Sequence, residues 1–498
     1  MSSIHFPVYI LLLLLISAIL IPLKKGDYDD GFKWEMMGVL GLAWALSLSL
    51  LIFVLRDQSF TYTFGQWNPT IGIEFVVDEF SALMTLVVLS VATLIIIYSL
   101  KDIEHEILKE QFFSYYTLIF LLLFSMIGMI FTNDLFNLYV FMEILSLTSC
   151  GIISIKRKKE NLMASFKYLM LGAIGSVSIL MGIALLYMVT GHLNMTAAYE
   201  VITQVWQSYP RNILIALGFI LTGFGIKAAI FPLHIWLPDA HSNAPTPSSA
   251  LLSGLVVKVY VFAIAKILFR VLGQDIVQSI GVTEFITYFA VLSMIMGSVF
   301  AIGQTDIKRL LAYSSVAQIG YIFLGLGLAT ELGFSAGLFH VITHALMKSA
   351  LFLSAGAIIY QTGKRDIRDL DGIGYQMPIT MGVFSVAALG MIGIPGLNGF
   401  MSKWYLSLAV LEADKPVFLI MILISSFLNA IYYLPIIIAA FLKESNERDN
   451  VMVLDRLPKT MMYPMVIIAI GCVVMGFFPH IVMDVVERAV PTFLFINN

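Results

Sequence analysis

Long runs of apolar residues, separated by short polar segments, repeat along the whole chain. An apolar stretch of about 20 residues is long enough to cross the hydrocarbon core of a bilayer as an α-helix. The pattern therefore predicts an all-α, polytopic membrane protein with about 14 transmembrane helices. These predicted spans, numbered 1 to 14, lie near residues 4–23, 35–55, 78–100, 111–131, 134–155, 162–190, 211–237, 245–271, 280–302, 306–328, 332–361, 378–411, 416–443 and 458–486.

The polar segments between the spans predict how the chain is oriented. Lys and Arg are concentrated in the loops that follow odd-numbered spans, as in the basic run at 156–159. Such residues stay on the cytoplasmic side, and an even number of spans returns the chain to the side on which it began. The first apolar stretch has no basic region before it and no small-residue cleavage site, so we expect a retained helix. The sequence thus predicts a multi-pass cell-membrane protein with both termini outside.

Two of the predicted spans contain helix-breaking residues near their middle. Span 7 contains Pro232 and Pro238, and span 12 contains Gly393 and Pro395. Each interrupted helix is the fourth of a block of five spans. Because five is an odd number, two consecutive copies of such a block lie in opposite orientations in the membrane. Inverted repeats with broken helices near the bilayer midplane are typical of ion and solute translocators. We therefore predict four regions: spans 1–3 at 1–110, a first repeat (spans 4–8) at 111–271, a second repeat (spans 9–13) at 280–443, and the C-terminal helix at 444–498.

Composition adds little to this picture but excludes several functions. The chain is 59% hydrophobic and 12% charged, and its formal net charge of −3 does not indicate a nucleic-acid partner. Its two cysteines lie in apolar segments, and no haem, nucleotide or flavin motif is present in a usable context, so no cofactor is expected. Between spans 2 and 3, aromatic and β-branched residues alternate around Asn68 and Pro69, which predicts a small extracellular β-hairpin.

Lysines inside the apolar spans are the main candidates for function. An ammonium group in hydrocarbon costs roughly 2.5–3.5 kcal/mol, so it is seldom placed there without a task. Near the ends of spans, long side chains can instead reach the interface, and Lys167 and Lys266 are close enough to do so. The lysines within the spans are Lys167, Lys227, Lys258, Lys266, Lys348 and Lys403.

A carboxylate in span 5, Glu143, is the predicted partner of Lys227. If the two groups are close, a proton that binds or leaves one of them changes the electrostatic energy of the other. The pair is then a means of coupling one protonation event to another. A static ion pair between helices is the structural alternative.

A column of titratable groups is predicted further along the chain. Lys258 lies midway along span 8, and lysine can release a proton that arginine would hold too tightly. In span 11, His340, His344 and Lys348 are spaced i, i+4 and i+8 on one helix face. Histidine titrates near neutrality, so this face is a candidate proton wire, and a purely structural histidine pair is the alternative. Zinc is disfavoured because no third ligand is evident and a lysine would repel the cation, so no metal site is predicted.

Three polar residues at the cytoplasmic end of span 7 complete the candidate set. His234, Asp239 and His241 flank a tryptophan at the point where the interrupted helix ends. They are candidates for proton uptake, and the alternative is that they stabilise the loop.

Several segments resemble a known family. FTNDLFNLYVFMEI, GIKAAIFPLHIWLPDAHSNAPTPSSALLSG, HVITHALMKSALFLSAG and GIPGLNGFMSK resemble the signature segments of antiporter-like subunits. These subunits are shared by respiratory complex I, membrane-bound hydrogenases and related ferredoxin-linked complexes, and Mrp-type sodium/proton antiporters. The resemblance covers nearly the whole chain, and DLFNLYVFMEI is closer to the Mrp and hydrogenase branch. GIPG stands where many members of the family have GIPP.

The resemblance implies 14 helices with inverted repeats and ion translocation inside a larger complex. Its partners would be other membrane subunits, including homologous antiporter-like subunits, as well as the lipid bilayer and the transported protons or sodium ions. Matched motif by motif, it implies that the conducting residues are Glu143, Lys227, Lys258, His340, His344, Lys348 and Lys403.

Three hypotheses for function follow. The first is a proton-conducting or sodium/proton-exchanging subunit, without a redox centre of its own, in which protons pass Glu143, Lys227, Lys258, His344, His340, Lys348 and Lys403 in that order. The second is an autonomous secondary transporter of a small solute, which would need a roomy polar pocket at the helix breaks. The third is a membrane scaffold with static ion pairs.

Overall fold

The computed structural model describes residues 3–24, 28, 30–57, 59–69, 71–443 and 455–494, which are almost entirely helical. Two short stretches of wider π-helix make residues 246–272 one continuous helix. Leu252–Val256 joins α10 (Thr246–Leu251) to α11 (Val257–Lys266), and Ile267–Leu272 extends α11. The helices are α1 (Phe6–Leu20), α2 (Asp30–Asp57), α3 (Glu79–Glu106), α4 (Phe112–Phe131), α5 (Leu135–Ser154), α6 (Lys159–Thr190), α7 (Met195–Val205), α8 (Pro210–Lys227), α9 (Trp236–Asn243), α10 (Thr246–Leu251), α11 (Val257–Lys266), α12 (Gln274–Ser279), α13 (Val282–Ile302), α14 (Ile307–Leu328), α15 (Glu331–Thr362), α16 (Ile373–Gln376), α17 (Pro378–Ile392), α18 (Asn398–Glu412), α19 (Val417–Leu442), α20 (Lys459–Phe477) and α21 (His480–Leu494).

The described residues contain 12 helical stretches that are long and apolar enough to cross a membrane. Predicted spans 7 and 12 are absent from that set because each is divided: α8 and α9 form the first, and α17 and α18 form the second. The polytopic, all-α architecture and both helix breaks are therefore confirmed. The inverted relation of the two blocks and the four region boundaries remain predictions.

Two features of the fold differ from the hydrophobic pattern. Helix α7, of 11 residues, lies where no helix was predicted, because it is too short and too polar to register as a membrane span. The predicted span 458–486 is in fact two helices, since α20 ends at Phe477 and α21 begins at His480. Pro479 stands between them, and the residue before a proline is disfavoured in the helical region.

The predicted β-hairpin is present between α2 and α3. Strand β1 (Phe60–Thr63) pairs antiparallel with β2 (Glu74–Val77), so that Phe60 lies opposite Val77. The chain then enters α3 through Asp78, whose carboxylate accepts a hydrogen bond from the backbone N–H of Ser81 at 2.7 Å. The side chain of Ser81 caps the backbone N–H of Asp78 in return, so the two residues form a capping box at the start of α3. The box satisfies free N–H groups of the first turn where the hairpin meets the helix.

Burial separates a central set of helices from peripheral ones. The most apolar 18-residue window of helix 246–272 is 100% buried, and those of α14 and α15 are 94% and 89% buried. The corresponding window of α19 is only 28% buried, and its exposed side chains are apolar, as expected for a helix that faces lipid. Helix 246–272 and α15 are the two central helices that carry Lys258, the two histidines and Lys348.

Candidate functional site

Lys258 occupies the centre of the bundle. It is 1% exposed, and its Nζ donates a hydrogen bond to the backbone carbonyl of Ser253. Ser253 lies in the first π-helical stretch, where widened turns alter the backbone hydrogen bonds, and such bulges are frequent at functional sites. The ammonium group can donate three hydrogen bonds, and the carbonyl of Ser253 is the acceptor that the described residues offer.

The two histidines of α15 lie one above the other beside this lysine. The ring centroids of His340 and His344 are 5.7 Å apart and the rings are inclined by only 17°. Nδ1 of His340 is 2.8 Å from Oγ of Ser402 on α18, whereas both ring nitrogens of His344 lack a hydrogen-bond partner among the described residues. The charge of Lys258 acts on both rings. The predicted histidine column therefore exists, and it leads from Lys258 towards α18.

Lys348 points away from that line. Its Nζ donates to the carbonyl of Leu311 at 2.6 Å and to Oγ of Ser314, both on α14. Oγ of Ser314 in turn lies 2.9 Å from the hydroxyl of Tyr433 on α19. The order expected from the sequence placed Lys348 between His340 and Lys403. In the structure His340 contacts α18 directly, and Lys348 forms a side branch.

Lys403 lies at the break in span 12. Its Nζ donates to the carbonyls of Met391 and Ile392 at 2.8 and 3.0 Å and to Oγ of Ser426 at 2.9 Å. The two carbonyls end α17, where the last turn has no intrahelical donors and the helix dipole attracts a cation. The break follows from Gly393, whose φ of 95° ends α17 in a conformation that suits glycine. The interrupted helix thus builds the binding place of the lysine.

Glu143 and Lys227 form the predicted pair at the opposite end of the site. Lys227 is the last residue of α8, and its Nζ lies 3.9 Å from Oε1 of Glu143 and 2.7 Å from Oγ of Ser146. Oγ of Ser176 on α6 also donates to Glu143. Lys227 is 2% exposed, but the glutamate side chain is 32% exposed, so the pair lies at the edge of the bundle.

Two tyrosines that were not singled out in the sequence are buried on the helices of this region. Neither the hydroxyl of Tyr168 on α6 nor that of Tyr260 on α11 has a hydrogen-bond partner among the described residues. Tyr260 is two residues from Lys258 on the same helix. Buried tyrosines are common in helical proteins, but buried hydroxyl groups without a hydrogen-bond partner are not, and this distinguishes the two.

The three candidates for proton uptake are not brought together. Asp239 is held by Nζ of Lys167 at 2.7 Å and by Nη1 of Arg309 at 3.2 Å. His241 is completely buried, and neither of its ring nitrogens has a hydrogen-bond partner among the described residues. The ring of His234 packs on aromatic side chains, with its centroid 5.7 Å from that of Phe300. Of the three, His241 is the one that faces the interior.

Lys266 does not reach the membrane surface, although its place near the end of a span allowed it. Lys266 is fully buried, and its Nζ donates to the carbonyls of Ile130 at 2.9 Å and of Thr132 at the end of α4. One turn further, Arg270 forms a buried ion pair with Asp78. These contacts are between distant segments, so spacing along the sequence could not reveal them.

The comparisons with known proteins agree with this architecture. Residues 132–429 match the family model described as NADH:quinone oxidoreductase/Mrp antiporter, TM, which is more than half of the chain. The chain belongs to this family. Residues 67–113 of this family member also match the model described as NADH-ubiquinone oxidoreductase (complex I), chain 5 N-terminus.

The individual relatives of the chain are named as subunits of different kinds. It is 35% identical to an NADH-quinone oxidoreductase subunit of Desulforudis audaxviator, over 98% of this chain and 99% of the relative. It is 30% identical to a Na(+)/H(+) antiporter subunit of Alkalihalophilus pseudofirmus, over 81% and 80% of the two chains. In the membrane-bound sulfane sulfur reductase, an archaeal respiratory membrane complex, one chain superimposes with a TM-score of 0.90 at 29% identity, with coverage of 98% and 97%. Relatives of both kinds match, so the branch of the family to which the chain is closer stays a prediction.

Proposed function

We propose that this chain is the ion-translocating membrane subunit of a multisubunit complex and that it conducts protons along its buried titratable groups. The observation that carries the proposal is the succession of buried titratable groups at the centre of the bundle, where Lys258, His344, His340 and Lys403 follow one another across three helices. Charged or titratable groups at this depth are expensive and mark ion pathways in membrane proteins. Sodium/proton exchange is the form that the function takes if the complex is of the Mrp type.

Each group in the series has a distinct chemical task. Lys258 is the central carrier, because an amine with few hydrogen bonds can both take up and release a proton. The paired imidazoles of His344 and His340 relay that proton, since each ring can receive it on one nitrogen and release it from the other. Ser402 connects His340 to the helix of Lys403, which is the last carrier in this chain. Lys348 modulates the central lysine electrostatically from its position against α14.

The pair of Glu143 and Lys227 acts as the switch that loads or empties this series. At 3.9 Å, opposite unit charges attract with about 4 kcal/mol at an effective dielectric constant of 20. A change in the charge of either partner therefore alters the energy of the other by more than thermal energy. Because Glu143 is partly exposed at the bundle edge, a neighbouring subunit can influence the pair from outside this chain.

The partners proposed are other membrane subunits, including homologous antiporter-like chains, in the cell membrane with both termini outside. The relatives named as antiporter or oxidoreductase subunits and the respiratory membrane complex support this assignment. An autonomous solute transporter finds less support. The cavity of about 560 Å³ at the break between α8 and α9 is lined almost entirely by apolar side chains such as Leu217, Leu221 and Phe289.

The test replaces the central lysines in the intact complex. Lys258→Met and Lys227→Ala should abolish proton movement into membrane vesicles, measured with a pH-sensitive dye, while the complex still assembles. Lys101→Met is the matched control, because that lysine is exposed and pairs with Glu104 at the surface. Unchanged ion movement in both interior variants would instead identify the chain as a scaffold with static ion pairs.

A further inference from the structure

A polar cavity that the series described above does not include opens beside the C-terminal end of α3. Its volume is about 270 Å³. It lies on the basic face, by which we mean the side of the protein that carries Lys101, Lys156 and Arg365. The polar residues of its lining are Asp102, His105, Glu106, Lys156, Lys158 and Tyr360.

Asp102 is the deepest acidic residue of this cavity. It is 2% exposed, and its Oδ2 has no hydrogen-bond partner in the part of the chain that the structure describes. Glu106 follows one turn later on the same face of α3 and interacts electrostatically with Asp102. Two adjacent carboxylates repel each other, and a proton shared between them relieves the repulsion. The two groups therefore form one proton-binding unit.

Glu106 connects this unit to the helix that carries the central lysine. Its Oε1 accepts a hydrogen bond from the backbone N–H of Thr246, the first residue of α10, at 2.7 Å. Its Oε2 pairs with Nζ of Lys156 from the loop after α5. The carboxyl pair is thus fixed between a basic loop at the surface and the start of the central helix.

Lys308 provides the next step inward. It is 2% exposed, and its Nζ donates to the carbonyl of Ala244 at 2.6 Å. Oγ of Ser249 lies 3.5 Å from that same carbonyl of Ala244 and donates to the carbonyl of His241 at 2.7 Å, so His241 adjoins the place where Lys308 is bound. The fully buried ring of His241 and the buried Lys258 continue this set of titratable groups towards the bundle centre.

We propose that the Asp102–Glu106 carboxyl pair is the proton-uptake site of this chain and that it supplies Lys258 through Lys308 and His241. The inference deepens the proposed function and rests on it. Both carboxylate oxygens of the rival uptake residue, Asp239, are paired with cations, whereas Oδ2 of Asp102 has no hydrogen-bond partner among the described residues. The titratable or charged side chains around the pair are Tyr98, His105, Tyr115, Tyr116, Lys156, Lys158, Lys308 and Tyr360.

The test compares carboxylates on one helix in the intact complex. Asp102→Asn and Glu106→Gln should slow the initial rate of proton transport in vesicles by about 100-fold or more, the lower end of what positioned proton-transfer groups contribute. In both variants the transport rate should also no longer depend on the pH of the solution that bathes the basic face. Glu104→Gln is the matched control, since that carboxylate lies on the same turn but pairs with Lys33 and Lys101 at the surface.

Each outcome decides between alternatives. Wild-type rates of proton transport in assembled Asp102→Asn and Glu106→Gln complexes would overturn the uptake site. The same conclusion would follow if the Asp239→Asn complex transported protons slowly while the Asp102→Asn complex transported them at the wild-type rate. Loss of sodium dependence alone, with proton transport intact, would make the pair a sodium site and also overturn the proposal. A wild-type complex that moves no ions would instead refute the proposed function.

A second measurement covers the case in which Asp102→Asn does not assemble. The infrared difference spectrum of the wild-type complex between high and low pH should contain a carboxylic acid band that is altered in Glu106→Gln. An unaltered band would show that the two groups do not share a proton, and this would overturn the proposal.

Discussion

The two fully buried lysines of helix 246–272 should respond in opposite ways to the same substitution. Lys258 and Lys266 are eight residues apart on one helix, and both are inaccessible. Methionine matches the length of lysine without its charge. We predict that Lys258→Met abolishes proton transport and leaves the protein as stable as the wild type or more so, whereas Lys266→Met destabilises it.

The magnitudes follow from the hydrogen bonds that each ammonium makes. A charge near the bilayer centre costs roughly 2.5–3.5 kcal/mol, and one hydrogen bond from a charged group contributes roughly 1.5–3 kcal/mol. Lys258 donates to one carbonyl, so removing its charge should raise the free energy of unfolding by about 1 kcal/mol. Lys266 donates to three carbonyls at the end of α4, and its loss should lower the free energy of unfolding by about 3 kcal/mol.

The assay combines unfolding in detergent micelles with proton transport in vesicles for the same two variants. The sign of the stability change is the diagnostic quantity, because a central carrier is retained for function and a structural lysine for stability. If Lys258→Met lowered the free energy of unfolding as much as Lys266→Met, the interpretation of Lys258 as a carrier with few hydrogen bonds would be refuted.

Three further predictions concern other parts of the structure. Lys403→Arg should keep the carbonyl contacts at the end of α17 and assemble normally, but its proton transport should fall sharply, because arginine does not release its proton. Burial alone would raise the pKa of Asp78, but the charge of Arg270 and the hydrogen bonds from Ser81 hold this pKa below its usual 3.8. The ionised carboxylate therefore stabilises the fold fully above pH 3.8, and this stabilisation is lost as the pH falls through the lowered pKa. Asp78→Asn should therefore reduce thermal stability at neutral pH and flatten its decline in acid. Gly399→Ala should destabilise the protein by more than about 1–3 kcal/mol in the same thermal assay. The reason is that a Cβ at this position would overlap the carbonyl oxygen of Gly390. Gly382→Ala is the control and should leave the stability unchanged, because no atom lies within 4 Å of the Cβ position there.

The site residues divide into those that sequence patterns could reveal and those that they could not. Glu143, Lys227 and Lys403 are detectable because a charge inside an apolar run is costly and therefore conspicuous. Asp102 escaped notice because it lies near the polar end of a span, where a carboxylate is unremarkable. Only its burial and its missing hydrogen-bond partner distinguish it.

Local sequence patterns were sufficient to predict the polytopic helical class, the positions of most spans, the β-hairpin and the two helix breaks. These follow from local physics, since apolar length, β-branched alternation and the backbone limits of proline and glycine act over a few neighbouring residues. Tertiary structure alone decided which charges meet. It turned Lys348 towards α14, buried Lys266 against the end of α4, and placed the Asp102 cavity beside the start of the central helix. Such contacts join segments that are far apart in the chain, and they are set by helix packing, which hydropathy along the sequence does not encode.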